Sequence, residues 1–241
     1  MTVKGERIAK VMARAGLCSR RQAERWIADG RVAVDGQTLT TPAVTVTADS
    51  RVTVDGEPMP RAAGTRLWRY HKPPGLLTSH SDPQGRPTVF ASLPPGMGRV
   101  ISVGRLDLTS EGLLLLTNDG GLARTLELPK TGWTRRYRVR AYGPIDEGSL
   151  KKLKKGVTIE GVTYGPIEAE VESRRAANAW LKVALREGKN REVKNVLEHL
   201  GLTVNRLIRV AYGPFQLGRL KAGEVSEVTG KALKEQLGGL L

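Results

Sequence analysis

Cysteine is nearly absent from this chain. Cys18 stands alone among 241 residues, so no disulfide can close within the chain and no thiolate cluster can hold a metal. Histidine is almost as scarce: His71, His80 and His199 are scattered, with neither HxxxH nor HExxH spacing, which makes a histidine metal site improbable. No apolar run approaches the roughly 18 residues that a membrane-spanning helix needs. Neither a P-loop nor a GxGxxG loop after a strand is present, which disfavours the classical nucleotide- and dinucleotide-binding folds. The N-terminus mixes Lys4, Glu6, Arg7 and Lys10 with single apolar residues and does not read as a signal peptide. A cytoplasmic protein with no membrane partner is expected by elimination.

Acidic side chains are the last shortage, at 24 Asp and Glu against 39 Lys and Arg, a formal net charge of +15. A chain this basic repels itself unless it meets a polyanion, and nucleic acid is the commonest one. The excess is uneven. Residues 1–60 carry nine basic and seven acidic side chains, a net of +2, and residues 61–241 carry 30 and 17, a net of +13. The polyanion site is therefore not confined to an N-terminal arm. With 39% hydrophobic residues the chain can bury a core, and its length permits one large domain or two smaller ones.

Ile8, Val11, Met12 and Ala15 fall at helical spacing before Gly16. Ser19 can cap a second helix running to about Ala28, with Ala23, Trp26 and Ile27 inward and Gly30 at its end. RVAVDG (31–36) and RVTVDG (51–56) each read as a short strand closed by an Asp-Gly turn. Residues 1–58 are thus expected to form a small domain, and EPMPRAAG (57–64) to supply the linker, placed at 59–65. From 66 to 228 the pattern is strand-rich: LWRYHK (67–72), RVISV (99–103), GLLLLT (112–117), RYRVRAYG (136–143), WLKVAL (180–185) and NRLIRVAYG (205–213). Asp119 and Asn190 are candidate helix caps, and residues 229–241 a short peripheral tail helix. Many strands with few short helices predict an α+β fold around a largely antiparallel sheet.

The spacing of Arg7 to Gly16, then Ser19-Arg20-Arg21-Gln22-Ala23-Glu24, then Ile27, Gly30, Val32, Val34, Asp35 and Gly36 resembles the S4 RNA-binding domain. The resemblance implies a basic helix face presented to RNA phosphates. Arg21 and Arg25, one helical turn apart, with Arg20 beside them and Arg31 past the helix end, are the residues that would form it.

Between two apolar runs, residues 104–111 form a polar knot with Arg105, Asp107, Thr109, Ser110 and Glu111. A carboxylate and a guanidinium at the end of a sheet are where sites are often built. A lone Asp in a loop is more often a turn or capping residue, and composition alone leaves both readings open. Gly104-Arg105-Leu106-Asp107, with Thr109, Ser110 and Gly112 to Gly120, resembles the catalytic motif of pseudouridine synthases, in the branch that modifies ribosomal RNA and carries an S4 domain. His71-Lys72-Pro73-Pro74-Gly75, Arg135 to Val139, Glu187 to Lys194, and Leu207 to Val210 with Gly213 match further motifs in order. The resemblance spans about residues 5–228.

That resemblance implies isomerisation of uridine to pseudouridine with no cofactor and no metal. Asp107 would be the essential carboxylate, as nucleophile or as base. Tyr137 would stack on the uracil, and Lys194 would pair with the carboxylate, at a position where many relatives have arginine. Leu207 would wall the base pocket. Arg136, Lys189 and Arg191 would hold phosphates of the opened strand, and Arg105 would contact a phosphate or brace the loop. Plainer roles stand beside these: a core tyrosine, a solvated lysine, ordinary packing for Leu207. The motifs look most like the large-subunit synthase B group, so 23S ribosomal RNA, free or in an assembling particle, is the expected partner of a monomer. The rivals are 16S RNA, a non-catalytic assembly factor on this scaffold, or another RNA enzyme with an appended S4 domain.

Overall fold

Two Asp-Gly pairs turn the first part of the chain back on itself. Asp35-Gly36 and Asp55-Gly56 all have positive φ, between 50° and 84°, the double left-handed geometry of tight two-residue hairpins. The structure, a computed structural model, describes residues 5–237 and divides into two units. The first holds the chain up to Arg66 with Gly96–Ile101 and Asn118–Gly120; the second holds Leu67–Pro95, Ser102–Thr117 and the chain from Gly121 onward.

The first unit contains β1 (Glu6–Arg7), α1 (Ile8–Arg14), α2 (Arg20–Ala28), β2 (Val32–Val34), β3 (Gln37–Thr38), β4 (Thr45–Val46), β5 (Val52–Val54) and β6 (Glu57–Pro58). β2 and β5, the two similar sequence segments, pair antiparallel and carry β3 and β6 on their outer edges. Ser19 caps α2 as expected, its hydroxyl accepting from the Gln22 amide at 3.1 Å. The apolar sides of both helices close on the sheet through Ile8, Met12, Ala23, Ile27, Val32 and Val52. Apart from the smaller Ala23, each of these side chains contributes about 1.5–3 kcal/mol on burial.

The chain continues with β7 (Leu67–Lys72), β8 (Ile101–Val103), β9 (Glu111–Thr117), α3 (Gly120–Glu127), β10 (Arg135–Tyr142), α4 (Glu147–Lys152), β11 (Val157–Ile159) and β12 (Val162–Tyr164). Then follow β13 (Ile167–Arg175), β14 (Asn178–Leu185), α5 (Glu192–His199), β15 (Thr203–Tyr212), β16 (Phe215–Gln216), β17 (Val225–Glu227) and α6 (Gly230–Leu237). Seven strands lie in the order β13-β14-β10-β15-β9-β7-β17. Only the β15–β9 contact is parallel; the other neighbours in that order are antiparallel, so the sheet is largely antiparallel. Residues 238–241 of the expected tail lie outside the described residues.

The whole of β9 is buried, with Leu113 to Leu116 at 0% exposure, as a strand covered on both faces must be. α4 and α5 pack on one face of the sheet over Val139, Leu181, Val183 and Leu207. Where β9 meets β15, Gly112 has φ +103° and a Cβ there would sit 2.4 Å from the Arg209 carbonyl oxygen. Only glycine permits that approach, and it brings the loop before β9 close to β15. One local expectation fails. α5 is not capped by Asn190; Arg191 occupies the cap with φ +51° and no side-chain cap bond. The turn is closed instead by Glu192, whose carboxylate accepts from the Lys189 amide at 2.9 Å.

Candidate active site

The loop from Gly104 to Ser110 is held by its backbone at five of its seven residues. The Gly104 amide donates to Glu127 Oε1 at 2.7 Å. Leu106 is gripped twice by Thr78, whose hydroxyl donates to its carbonyl at 2.8 Å and accepts from its amide at 3.3 Å. The Gly75 amide donates to the Leu108 carbonyl at 2.7 Å, and the Ser110 amide closes back on the Asp107 carbonyl at 3.0 Å. Beneath the loop lies Lys72, the last residue of β7, with 0% exposure. Its ammonium donates to the carbonyls of Pro73, Asp107, Leu108 and Ser110 at 2.8–3.4 Å. Burial pulls its pKa down to about 8, against the pull of Asp107 and Glu111 in the other direction and with Lys194 adding to the fall.

With its backbone so fixed, Asp107 presents a half-buried side chain to a cavity of about 130 Å³. No donor among the described residues bonds its carboxylate, so both oxygens are available to a substrate. Tyr137 from β10 and Leu207 from β15 line the same cavity. Tyr137 is half-buried and Leu207 is 6% exposed. Arg105, Lys189 and Arg191 are exposed at its rim. The Lys189 ammonium is engaged by Glu187, and Arg191 lies 3.7 Å from Glu198. Six of the residues singled out by sequence therefore meet in one place.

Lys194 comes close without closing the expected pair. It is 7% exposed on α5, and its ammonium donates to the Thr109 hydroxyl at 2.6 Å rather than to Asp107. Burial and the nearby Arg191 lower its pKa, while Asp107 and Glu198 act in the opposite sense. Lys194 thus interacts with the Asp107 carboxylate electrostatically and is hydrogen-bonded to the loop that carries it.

Arg136 does not join the site. Alternation along β10 sends it to the face opposite Tyr137; with Arg138, Lys182 and Glu168 it lines a larger cavity of about 620 Å³ that Tyr137 also borders. That cavity contains no part of the 104–110 loop. Arg20, Arg21 and Arg25 lie exposed on α2 of the first unit. Arg31 is occupied by a bidentate pair with Asp55 at 2.8 and 2.5 Å and stacks on Trp26.

Four further residues, to which the sequence alone assigns no role, shape the cavity. Lys72 sets the loop. Arg135 donates to the Arg186 and Glu187 carbonyls at 2.5 and 2.9 Å, pinning the turn that carries Lys189 and Arg191. Glu192 and Arg209, buried at 4% and 2% exposure, complete the wall. Their motifs are visible in the chain, but burial of an arginine or a glutamate is a tertiary fact that no local pattern carries.

A family model described as RNA pseudouridylate synthase matches residues 66–199, and the S4 domain model matches residues 6–52. An uncharacterized RNA pseudouridine synthase of Rickettsia bellii is 52% identical over 95% of this chain and 99% of its own. The ribosomal large subunit pseudouridine synthases B of Pasteurella multocida and Salmonella typhi are 43% and 42% identical. They match over 89% and 88% of this chain and 64% and 75% of their own. A crystal structure of a pseudouridylate synthase superposes with a TM-score of 0.68 at 25% identity, covering 96% of this chain and 99% of that one. No helix among the described residues is long and apolar enough to cross a membrane. With an S4 domain at its N-terminus and the pseudouridine synthase fold after it, the chain belongs to the RNA pseudouridine synthase family of isomerases.

Proposed function

We propose that this enzyme isomerises one uridine of ribosomal RNA, in the 23S molecule, to pseudouridine, with Asp107 as the essential group. The likeness to two large-subunit synthases B supports the choice of RNA. The observation that carries the site is the unpartnered Asp107 carboxylate, facing a cavity walled by Tyr137 and Leu207 on a loop whose backbone is immobilised from below. A base inside a stacked helix cannot reach that carboxylate, so the nucleotide is flipped into the cavity.

Within it, Tyr137 stacks on the uracil face and Leu207 closes the other side. Arg105, Lys189 and Arg191, at the rim, take the phosphates of the opened strand. Arg136 lies outside this cavity. The C1′–N1 bond breaks, the base turns, and C5 bonds to C1′ while its hydrogen is lost to solvent and N1 gains a proton. The carboxylate serves this by attack at C1′ or by removing a ribose proton. The exposed arginines of α2 supply sequence-independent hold on the RNA.

The test is pseudouridine mapping by carbodiimide labelling and primer extension on ribosomal RNA treated with wild type and with Asp107→Asn. One new stop in 23S RNA with wild type alone, and unchanged RNA binding by the variant, is expected. A stop in 16S RNA would move the target. Tight binding by both proteins with no new stop, on free RNA or particles, would make this an assembly factor.

A further inference from the structure

Four lysines fall within five residues at the end of α4, in the segment Lys151-Lys152-Leu153-Lys154-Lys155. They span the last turn of α4 and the short 3₁₀ turn (Leu153–Lys155) that runs on to Gly156. Leu150 and Leu153 are buried in the core that this segment shares with the sheet, and all four lysines are exposed. No hydrogen bond or ion pair among the described residues engages their ammonium groups. The nearest acids in sequence are taken: Asp146 accepts from the Gly148 and Ser149 amides at 2.9 and 3.0 Å, and Glu147 pairs with Arg174 at 2.9 Å. Lysine near a helix C-terminus eases its dipole, an effect that fades within one turn. Like charges three and four positions apart repel one another. Four clustered and unpaired ammoniums therefore work against the fold unless a polyanion meets them.

We propose that Lys151, Lys152, Lys154 and Lys155 hold phosphates of the RNA that flanks the target nucleotide, as a contact surface separate from α2 and from the rim of the Asp107 cavity. The proposal rests on the reading above that ribosomal RNA is the substrate. Its placement is what links it to the site. Lys151 and Lys154 line the cavity of about 620 Å³, and Tyr137 borders both that cavity and the Asp107 cavity, so one RNA molecule can reach both. The acids of the larger cavity are partly neutralised. Glu172 is taken by Arg138 at 2.6 Å, and Glu170 lies 3.9 Å from Lys182. Glu168 and Glu170 on β13 repel phosphates, so the strand runs along α4 and not along β13. An ammonium on a flexible stem is a mobile point charge without the planar fork of arginine. Such a surface adds affinity without sequence choice, and its signature is salt dependence, because each neutralised phosphate releases counterions.

Changing all four lysines to Gln tests this, since glutamine removes the charge at nearly the same helix propensity. The control changes Lys130, Lys221, Lys231 and Lys234, four exposed lysines elsewhere, to Gln for the same loss of net charge. The probe is a 23S ribosomal RNA transcript, titrated at several salt concentrations. The α4 variant should bind at least about tenfold more weakly at moderate salt, with the slope of log K against log salt flatter by roughly 0.7–0.9 for each phosphate released. The control should keep the wild-type slope. A wild-type slope in the α4 variant, or equal flattening in both variants, overturns the proposal. Acetylation of wild-type lysines with and without the RNA, read by mass spectrometry, needs no variant to fold. Lys151, Lys152, Lys154 and Lys155 should be protected by RNA while Lys221, Lys231 and Lys234 stay reactive; equal labelling of the four with and without RNA overturns the proposal as well. Both readouts are of binding, so wild type that binds without turnover would overturn the isomerase reading alone.

Discussion

The Lys72 ammonium donates to the Ser110 carbonyl at 2.8 Å from a side chain with no exposed surface. Three more carbonyls, of Pro73, Asp107 and Leu108, converge on the same nitrogen. An ammonium has three protons, so the four acceptors share them, and the charge-assisted donor beneath the 104–110 loop is a single lysine at the end of β7. The position of the Asp107 backbone, and through it the carboxylate, therefore depends on a residue that does not line the Asp107 cavity.

Replacing Lys72 by Met should keep most of the volume and leave those carbonyls without their donor. Unfolding free energy should fall by about 2–4 kcal/mol, from orphaned buried acceptors at roughly 1–3 kcal/mol each less the relieved burial of a charge. The chemical step should slow by about a hundredfold, the usual cost of an ångström-scale misplacement. Denaturant unfolding and single-turnover kinetics check both. A variant with wild-type turnover would show that the loop needs no support from beneath.

The same lysine predicts that activity and stability part company in mild alkali. Its pKa in the folded chain is about 8, below the ordinary 10.5. Between those values the unfolded chain binds the extra proton, so this group makes stability rise with pH there, not fall. Loss of the charged donor should lower turnover above pH 8, by about tenfold per pH unit at the limit. A pH–rate profile from 6.5 to 9 beside thermal melts over the same range tests this. Turnover that stays flat to pH 9, or a melt that falls in step with it, would contradict the assignment.

The elements around the site are legible in the sequence to very different degrees. The Leu113–Leu116 run announces a strand covered on both faces, and the two Asp-Gly pairs announce hairpins, because each signal is local and physical. β13 carries a weaker one, an alternation built on poor strand formers. Its Ile167, Ala169 and Val171 alternate with Glu168, Glu170 and Glu172, and alanine and glutamate are poor strand formers; pairing with β14 decides it. Asp107, Tyr137, Lys194 and Leu207 stand out through family motifs rather than through residue chemistry. Arg136 belongs with them by motif, although the alternation of its own strand already points it elsewhere. Lys72 and Arg209 sit inside motifs with nothing local to mark their roles, since three of the four Lys72 partners lie 35–38 residues away in the chain and the Arg209 partner lies 96 away.

Lys194 should act on catalysis partly through Thr109. Its bond to the Thr109 hydroxyl at 2.6 Å ties α5 to the residue two beyond Asp107. Lys194→Met should lower kcat by about a hundredfold or more, the scale of losing one preorganised charge at a reacting centre, with KM little changed. Thr109→Val should cost less, about tenfold, and the double variant should be no worse than Lys194→Met alone if the hydroxyl works only by placing the ammonium. Single-turnover rates on one RNA supply the cycle. Fully additive losses would mean that Thr109 has a part of its own in the reaction.

The first unit offers a prediction that separates capture from chemistry. Arg20, Arg21 and Arg25 are exposed on α2 and no hydrogen bond or ion pair among the described residues engages their side chains, unlike Arg31, which Asp55 and Trp26 hold. Three free guanidiniums on one short helix are suited to phosphates. Changing all three to Ala should leave folding stability within about 0.5 kcal/mol, as for other surface substitutions. RNA affinity should weaken at moderate salt, and the slope of log K against log salt should flatten by roughly 0.7 for each phosphate no longer neutralised. Turnover at saturating RNA should not change, because Asp107 and its loop lie in the other unit. Binding titrations at four or five salt concentrations measure the slope. A slope equal to wild type would remove α2 from the RNA-binding surface, and an unchanged slope with reduced saturating turnover would assign these arginines to the chemical step instead.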